Sequence, residues 1–199
     1  MKYWLDTEFI EDGVTIDLIS IGIVAEDGRE FYACNRECQL EKASDWVWSN
    51  VLEPIGCQKL DDTAFLRPIE PLVWKRRSEI ASEIIEFVYG TDERPTTEGY
   101  LDTKPEFWAY YADYDWVVFC QLFGTMMQLP QGFPMYCRDL KQWCDTLGNP
   151  KLPEQGKGEH NALADARWNK QAWEFLSEYQ GRAILKIEEN LIKLAGAME

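Results

Sequence analysis

Three short groups of residues carry the types and spacings that chemistry needs. The first lies near the N terminus, where Lys2-Tyr3-Trp4-Leu5-Asp6-Thr7-Glu8-Phe9 is an apolar run that gives way to two carboxylates. On a β-strand successive side chains alternate faces, so Asp6 and Glu8 would share one face and Thr7 would take the other. Like charges side by side on one face repel. A cation offsets that repulsion, and hard divalent ions such as Mg2+ prefer carboxylate oxygens. The plainer alternative is a strand end with two solvated acids, and so short a motif leaves the choice to its partners. The second group holds the chain's single histidine, His160, five positions before Asp165 in Glu159-His160-Asn161-Ala162-Leu163-Ala164-Asp165-Ala166-Arg167. On one helix that separation turns through about 500°, leaving the two side chains roughly 140° apart. They converge only if His160 precedes the helix and Asp165 sits in its first turns. Asn161 is a suitable N-cap, and Gly156-Lys157-Gly158 reads as a loop leading into it. The third group is Phe107-Trp108-Ala109-Tyr110-Tyr111-Ala112-Asp113-Tyr114-Asp115-Trp116, an aromatic strand-like run meeting an acidic pair. Asp113 is predicted to be an N-cap. Asp115 then falls in the first helical turn at the end of a central strand, where open α/β sheets place their sites.

Taken together, D-x-E on a first strand, Y-D at a strand-to-helix junction and H-x4-D opening a late helix resemble the DEDDh-type 3′-5′ exonucleases of the RNase T and DnaQ-like superfamily. Asp6 to Gly13, Ile19 to Glu30, Tyr114-Asp115 with Cys120 to Gly124, and His160 to Arg167 are similar to the small RNase AS-like exoribonucleases. The likeness runs over about residues 1–170; residues 90–106 are longer than the family pattern, and the tail from about 180 lies outside it. The resemblance implies a metal-dependent 3′-5′ exoribonuclease acting on single-stranded RNA 3′ ends, with adenylate-rich RNA the first substrate to try, and a homodimer. It implies two Mg2+ ions, with Mn2+ as the substitute, and Asp6 touching both. Glu8 and Asp165 would hold the water-bearing ion, and Asp115 would help hold the other. His160 would take the proton from the attacking water, a role suited to an imidazole because its ordinary pKa lies near working pH. Tyrosine-dependent relatives carry Tyr four positions before the last Asp; here Asn161 stands there, so the histidine subclass fits.

Substrate contacts are less sharply marked. Phe9 would face away from Glu8 on an ideal strand, although a bend there would bring it against the terminal base; core packing is the alternative. Trp116 and Trp168 flank two of the acids and are expected to pack. Lys75-Arg76-Arg77 and Arg138 could meet phosphates or simply decorate helix starts.

The elements that must position these groups follow from pattern. Ile16 to Ala25 is an apolar run suited to a buried strand, and Glu26-Asp27-Gly28-Arg29 is a D-G turn returning into a strand from Glu30 to Cys34, which makes a three-stranded meander. Residues 40–52 and 76–89 show helical spacing, and Pro54, Pro68 and Pro71 make the piece between irregular. Residues 90–106 read as a loop. A strand at 107–112 leads into a helix from 114, with further helices over 139–147, 161–178 and 182–195. Ile184, Ile187, Leu191 and Leu194 form one stripe on the last. The fold class predicted is α/β: an RNase H-like mixed β-sheet flanked by α-helices, as one exonuclease domain over 1–199 with its motif-bearing core at about 1–178.

Composition narrows the function further. The net charge is −15, which argues against a protein that coats long nucleic acid by counterion release. An enzyme gripping a few nucleotides at one end needs far less, and part of the acidity belongs to the metal ligands themselves. Six cysteines with no C-x-x-C pair read as reduced thiols. No run reaches membrane-spanning length and no signal peptide precedes the first strand, so a cytoplasmic location without membrane association is expected. Two other readings remain at this stage: a DNA 3′-5′ exonuclease using the same site, and a catalytically silent scaffold that binds RNA ends.

Overall fold

Strand β1 (Lys2–Glu11) runs through the middle of the molecule, and the rest of the sheet is laid down on either side of it. The structure, a computed structural model, describes residues 1–61, 64–68, 73–90, 104–156 and 158–196. The meander expected from sequence is present: β1 pairs antiparallel with β2 (Ile16–Ala25), and β2 pairs antiparallel with β3 (Glu30–Asn35). Nine of the ten β2 residues are buried, which its near-continuous apolar sequence demands of a strand covered on both faces.

Three further strands join the sheet in parallel. The two-residue strand β6 (Trp74–Lys75) pairs with β3, β7 (Glu106–Ala109) pairs with β1, and β8 (Arg138–Asp139) pairs with β7. The order is β6-β3-β2-β1-β7-β8, and β4 (Gln58–Lys59) with β5 (Phe65–Leu66) forms a separate two-stranded ribbon. This is the mixed six-stranded sheet with flanking helices that the element order predicts, an RNase H-like α/β arrangement.

One face of β1 presents Tyr3 and Leu5 to α2 (Arg77–Tyr89) and α3 (Ala112–Leu122), where they join a buried cluster with Ile80, Ile84, Trp116 and Phe119. The other face presents Trp4 to α5 (Ala162–Gly196), where it meets Trp173 edge-on at 5.5 Å between ring centroids. A second cluster on Ile19 and Cys34 takes in Leu40, Trp48, Val51, Leu52 and Trp74. A third joins α4 (Leu140–Thr146) to α5 through Leu140, Cys144, Ala172 and Leu176.

Several expected boundaries change, each for a local reason. The helical pattern at 40–52 is not one helix: it divides into a 3-10 turn at Leu40–Lys42, a short α1 (Asp45–Val47) and a π-type turn at Trp48–Leu52. The break falls at Ser44, whose extended backbone lets its Oγ accept from Val47 N–H and so restart the helix. The helices expected at 161–178 and 182–195 are a single α5. Gly181 falls between the two expected segments, and a lone glycine inside a helix costs only about 1 kcal/mol relative to alanine and does not end it. Strand β7 ends at Ala109, earlier than the expected 112, and strands β6 and β8 are too short for a periodic signal. Most of the 90–106 loop lies outside the described residues, as do Pro71 and Lys157.

Candidate active site

The site begins with the alternation of β1. Asp6 and Glu8 share a face, while Thr7 points the other way and is buried. Thr7 donates from both its backbone N–H (2.9 Å) and its Oγ1 (2.5 Å) to Oδ1 of Asp115, tying α3 to the carboxylate strand. A register shift between Glu8 and Phe9 then bends the strand. Beyond the bend Phe9 turns toward α3 and stacks on Tyr114, with centroids 5.8 Å apart and planes 14° from parallel. Phe9 also packs on the core cluster, the alternative role expected from sequence, and is half-buried.

Helix α5 supplies the opposite wall. Asn161 is its cap: Oδ1 accepts from Ala164 N–H at 3.1 Å, and its carbonyl accepts from Asp165 N–H at 2.9 Å. His160 stands just before the helix in the left-handed region, with φ 65°. That conformation turns its N–H onto Oδ2 of Asp165 at 2.9 Å, while the Gln155 side-chain amide donates to Oδ1. His160 therefore precedes the helix and Asp165 lies in its first turn, the only placement that brings the pair together. The helix reaches the sheet because β2 carries Gly22 opposite Asp6. A Cβ on Gly22 would lie 2.3 Å from the Ala162 carbonyl oxygen and 2.4 Å from Leu163 Cα. Deeper in α5, Asn169 is buried and donates from Nδ2 to the Leu5 carbonyl at 2.9 Å, locking helix to strand one residue before Asp6.

Asp6, Glu8 and Asp165 each offer an oxygen within 4.8 Å of the others. Asp115 stands beside this trio. Its charge acts on Asp6 and Glu8, its Oδ1 is taken by Thr7, and Oδ2 has no protein partner among the described residues. Burial, reinforced by the neighbouring carboxylates, raises Asp6 well above the usual carboxylate range and Glu8 to about 8. Burial raises Asp115 to about 7 against the lowering effect of the two Thr7 hydrogen bonds. Asp165 is raised by burial and partly relieved by Gln155 and the His160 N–H. Four acids gathered at such an electrostatic cost form an all-oxygen donor set suited to a hard divalent ion.

A cleft of about 170 Å³ opens on Asp6 and Asp165, walled by Tyr110, Gln155, Glu159, His160, Trp168 and Asn169. A larger cleft of about 790 Å³ between Met1, Glu106, Phe133 and Arg138 contains none of the four acids. Trp116 is core, stacked on Phe119 at 4.9 Å. Trp168 donates from Nε1 to the Pro153 carbonyl at 3.0 Å and braces the loop before His160. Three of the basic candidates are already paired: Lys75 with Glu83, Arg77 with Asp17, and Arg138 with Glu106. The expectation for Asp113 is corrected. The N-cap position of α3 is Tyr111, and the cap is supplied from elsewhere by Asp139, whose Oδ2 accepts from Ala112 N–H at 2.7 Å. Asp113 sits exposed in the first turn. Sequence reasoning missed Thr7, Gln155, Asn169 and Gly22. Of these only Gly22 carried a signal, since an isolated glycine in a strand marks a close backbone approach.

Fold and site together define an RNase H-like α/β protein whose carboxylate cluster is built from its central strand β1 and the first turns of α3 and α5. Residues 1–177 match the family described as the 3′-5′ exoribonuclease Rv2179c-like domain, and the chain belongs to that family. Two proteins of Mycobacterium tuberculosis are similar to it: the 3′-5′ exoribonuclease Rv2179c of strain ATCC 25618 / H37Rv and the 3′-5′ exoribonuclease MT2234.1 of strain CDC 1551 / Oshkosh. Each is 41% identical over 169 residues, covering 84% of this chain and 88% of the relative.

Proposed function

We propose that this chain is a divalent-metal-dependent 3′-5′ exoribonuclease that removes nucleoside 5′-monophosphates from the 3′ end of single-stranded RNA, in the DEDDh manner. The observation that carries the reading is the joining of His160 to the acids: one αL residue aims its N–H at Asp165 and brings the imidazole to the same cleft. The names of both relatives and of the family favour RNA over DNA.

Asp6, Glu8 and Asp165 would hold the ions, with Asp115 completing the set through its remaining oxygen. Two bound Mg2+ or Mn2+ ions supply an activated water and charge stabilisation at the phosphate and leaving oxygen. His160 accepts the proton of the attacking water. Gln155 and the His160 N–H keep the Asp165 carboxylate in one orientation, and Thr7 does the same for Asp115. Phe9, backed by Tyr114, is the ring proposed for the terminal base. An acidic surface suits a short grip at one end and not a long track.

We further read 1–199 as one exonuclease domain, because α5 passes through the end of the family match at residue 177 without a break. A cytoplasmic homodimer acting on adenylate-rich RNA completes the proposal. The resemblance supports the dimer, and so does the exposed stripe of Ile184, Ile187, Leu191 and Leu194 on α5. Among the described residues no helix is long and apolar enough to cross a membrane.

The test is digestion of 3′-labelled and 5′-labelled RNA and DNA oligomers of each base, with Mg2+ and with EDTA. Stepwise shortening of 5′-labelled RNA, with mononucleotide released first from 3′-labelled RNA and no reaction in EDTA, is expected. DNA cleaved as well as RNA would shift the assignment to a DNA exonuclease. Binding without cleavage would leave a scaffold.

A further inference from the structure

Of nine tryptophans, eight are buried or half-buried and only Trp46 is exposed, at 54%. Exposing an indole forfeits the large apolar burial that normally places this residue. This indole faces the only imidazole in the chain: the Trp46 and His160 rings meet edge to face, centroids 4.8 Å apart and planes 80° from parallel. We propose that Trp46 is the positioning residue of the His160 imidazole, an inference that rests on reading His160 as the general base.

Two halves of the geometry support it. The backbone of His160 is anchored on both sides, by its own N–H on Asp165 and by the Asn161 cap that follows. Its ring is not: among the described residues neither imidazole nitrogen has a hydrogen-bond partner, and the indole is the aromatic ring packed against it. A base works only with its nitrogen within hydrogen-bond reach of the water it deprotonates, so a freely turning ring spends most of its time misdirected. An edge-to-face contact engages neither nitrogen in a hydrogen bond, whereas a hydrogen bond to one of them would occupy it.

Trp46 is itself held firmly. It sits on α1, whose first turn is capped by Ser44, and the Asn50 side chain donates to the Trp46 carbonyl at 2.8 Å. The next turn is rooted in the core by Trp48, Val51 and Leu52. The contact is therefore between the β3–β4 segment and the start of α5, two pieces of chain more than a hundred residues apart.

An edge-to-face pair of ordinary strength biases the ring population by about 2- to 10-fold, and that sets the expected loss. Trp46→Ala should lower kcat by that factor with KM unchanged, and Trp46→Phe should restore most of it. In the metal-free protein the imidazole C–H resonances, which belong to His160 alone, should move toward free-histidine positions in Trp46→Ala and stay displaced in Trp46→Phe. In a His160→Ala background Trp46→Ala should have no further effect, because it acts only through the ring it holds. His160→Ala at full rate would overturn the base reading itself. His160→Ala slowed by about 10²–10⁴-fold, with Trp46→Ala costing the same in both backgrounds or raising KM alone, would overturn the positioning role and make Trp46 a substrate contact. Unmoved imidazole resonances would overturn the contact.

Discussion

Asp113 and Asp115 are the same residue type two positions apart, and the environment gives them opposite parts. Asp115 is buried, accepts two hydrogen bonds from Thr7 and is raised to about 7. Asp113 lies exposed in the first turn of α3, where its charge merely complements the helix dipole. Asp115→Asn should therefore abolish turnover while the protein stays folded, since the amide oxygen can still accept from Thr7. Asp113→Ala should leave turnover intact and lower stability by about 0.3–1 kcal/mol. Steady-state rates and denaturant melts of the two variants check both statements, and an inactive Asp113→Ala beside an active Asp115→Asn would show the pair to be assigned the wrong way round.

At the scale of elements, the seat of α5 on β2 decides whether the acids meet. Asp6 and Glu8 belong to β1 and Asp165 to α5, and the helix can approach only because Gly22, opposite Asp6, has no side chain. The atoms that an added Cβ would strike are backbone atoms of Ala162 and Leu163, which cannot rotate away. Gly22→Ala should therefore push back the first turn of α5, which carries Asp165 and follows His160. The expected result is a stability loss of about 1–3 kcal/mol, as for other overpacked sites. Turnover should fall much further than stability explains, with weakened metal binding by calorimetry. Near-normal metal affinity and rate in folded Gly22→Ala would mean that the helix start is not positioned by this contact.

At the scale of the whole molecule, the cluster couples metal, pH and stability. Glu8, Asp115, Asp6 and Asp165 all hold protons more tightly folded than unfolded. Raised carboxylates stabilise the fold at low pH, and that contribution is lost as pH climbs from the unfolded values near 4 to the folded values, about 8 for Glu8. The metal-free protein should thus melt at lower temperature at pH 8 than at pH 5.5. Saturating Mg2+ should raise the melting temperature more at pH 8, where the site is ionised, than at pH 5.5. Repulsion within a chain of net charge −15 gives a slope of the same sign. Glu8→Gln separates the two: it should flatten the fall and shrink the Mg2+ effect. An equal Mg2+ effect at both pH values would detach stability from the cluster. The tail gives a second prediction. Every described side chain from 181 to 194 is exposed. If the proposed homodimer pairs through the stripe, removing residues 181–199 should abolish the two-chain species in light scattering and make the melting temperature independent of protein concentration; a truncated chain that still pairs would exclude the stripe as the interface.

Much of this could be read from local pattern. The alternation that pairs Asp6 with Glu8, the apolar run of β2, the D-G turn and the Asn161 cap all depend on neighbours a few residues away, so the chain spells them out. The spacing of His160 and Asp165 allows one way for them to meet, with His160 before the helix and Asp165 in its first turn, and the family resemblance joined them into one site. What sequence left undecided depends on residues distant in the chain. Asp139, not Asp113, caps α3, because a side chain from another strand reaches its first N–H. Strands β6 and β8 exist only as two-residue additions to strands already in place. Gly181 does not end α5, because intrinsic propensity is weaker than the continuity of a long helix. The approach of Asp165 to Asp6 rests on Gly22, and the hold on His160 rests on Trp46. The residue types were set along the chain, but their distances were set by how strand, helix and turn pack, and packing is decided by contacts that no local period encodes.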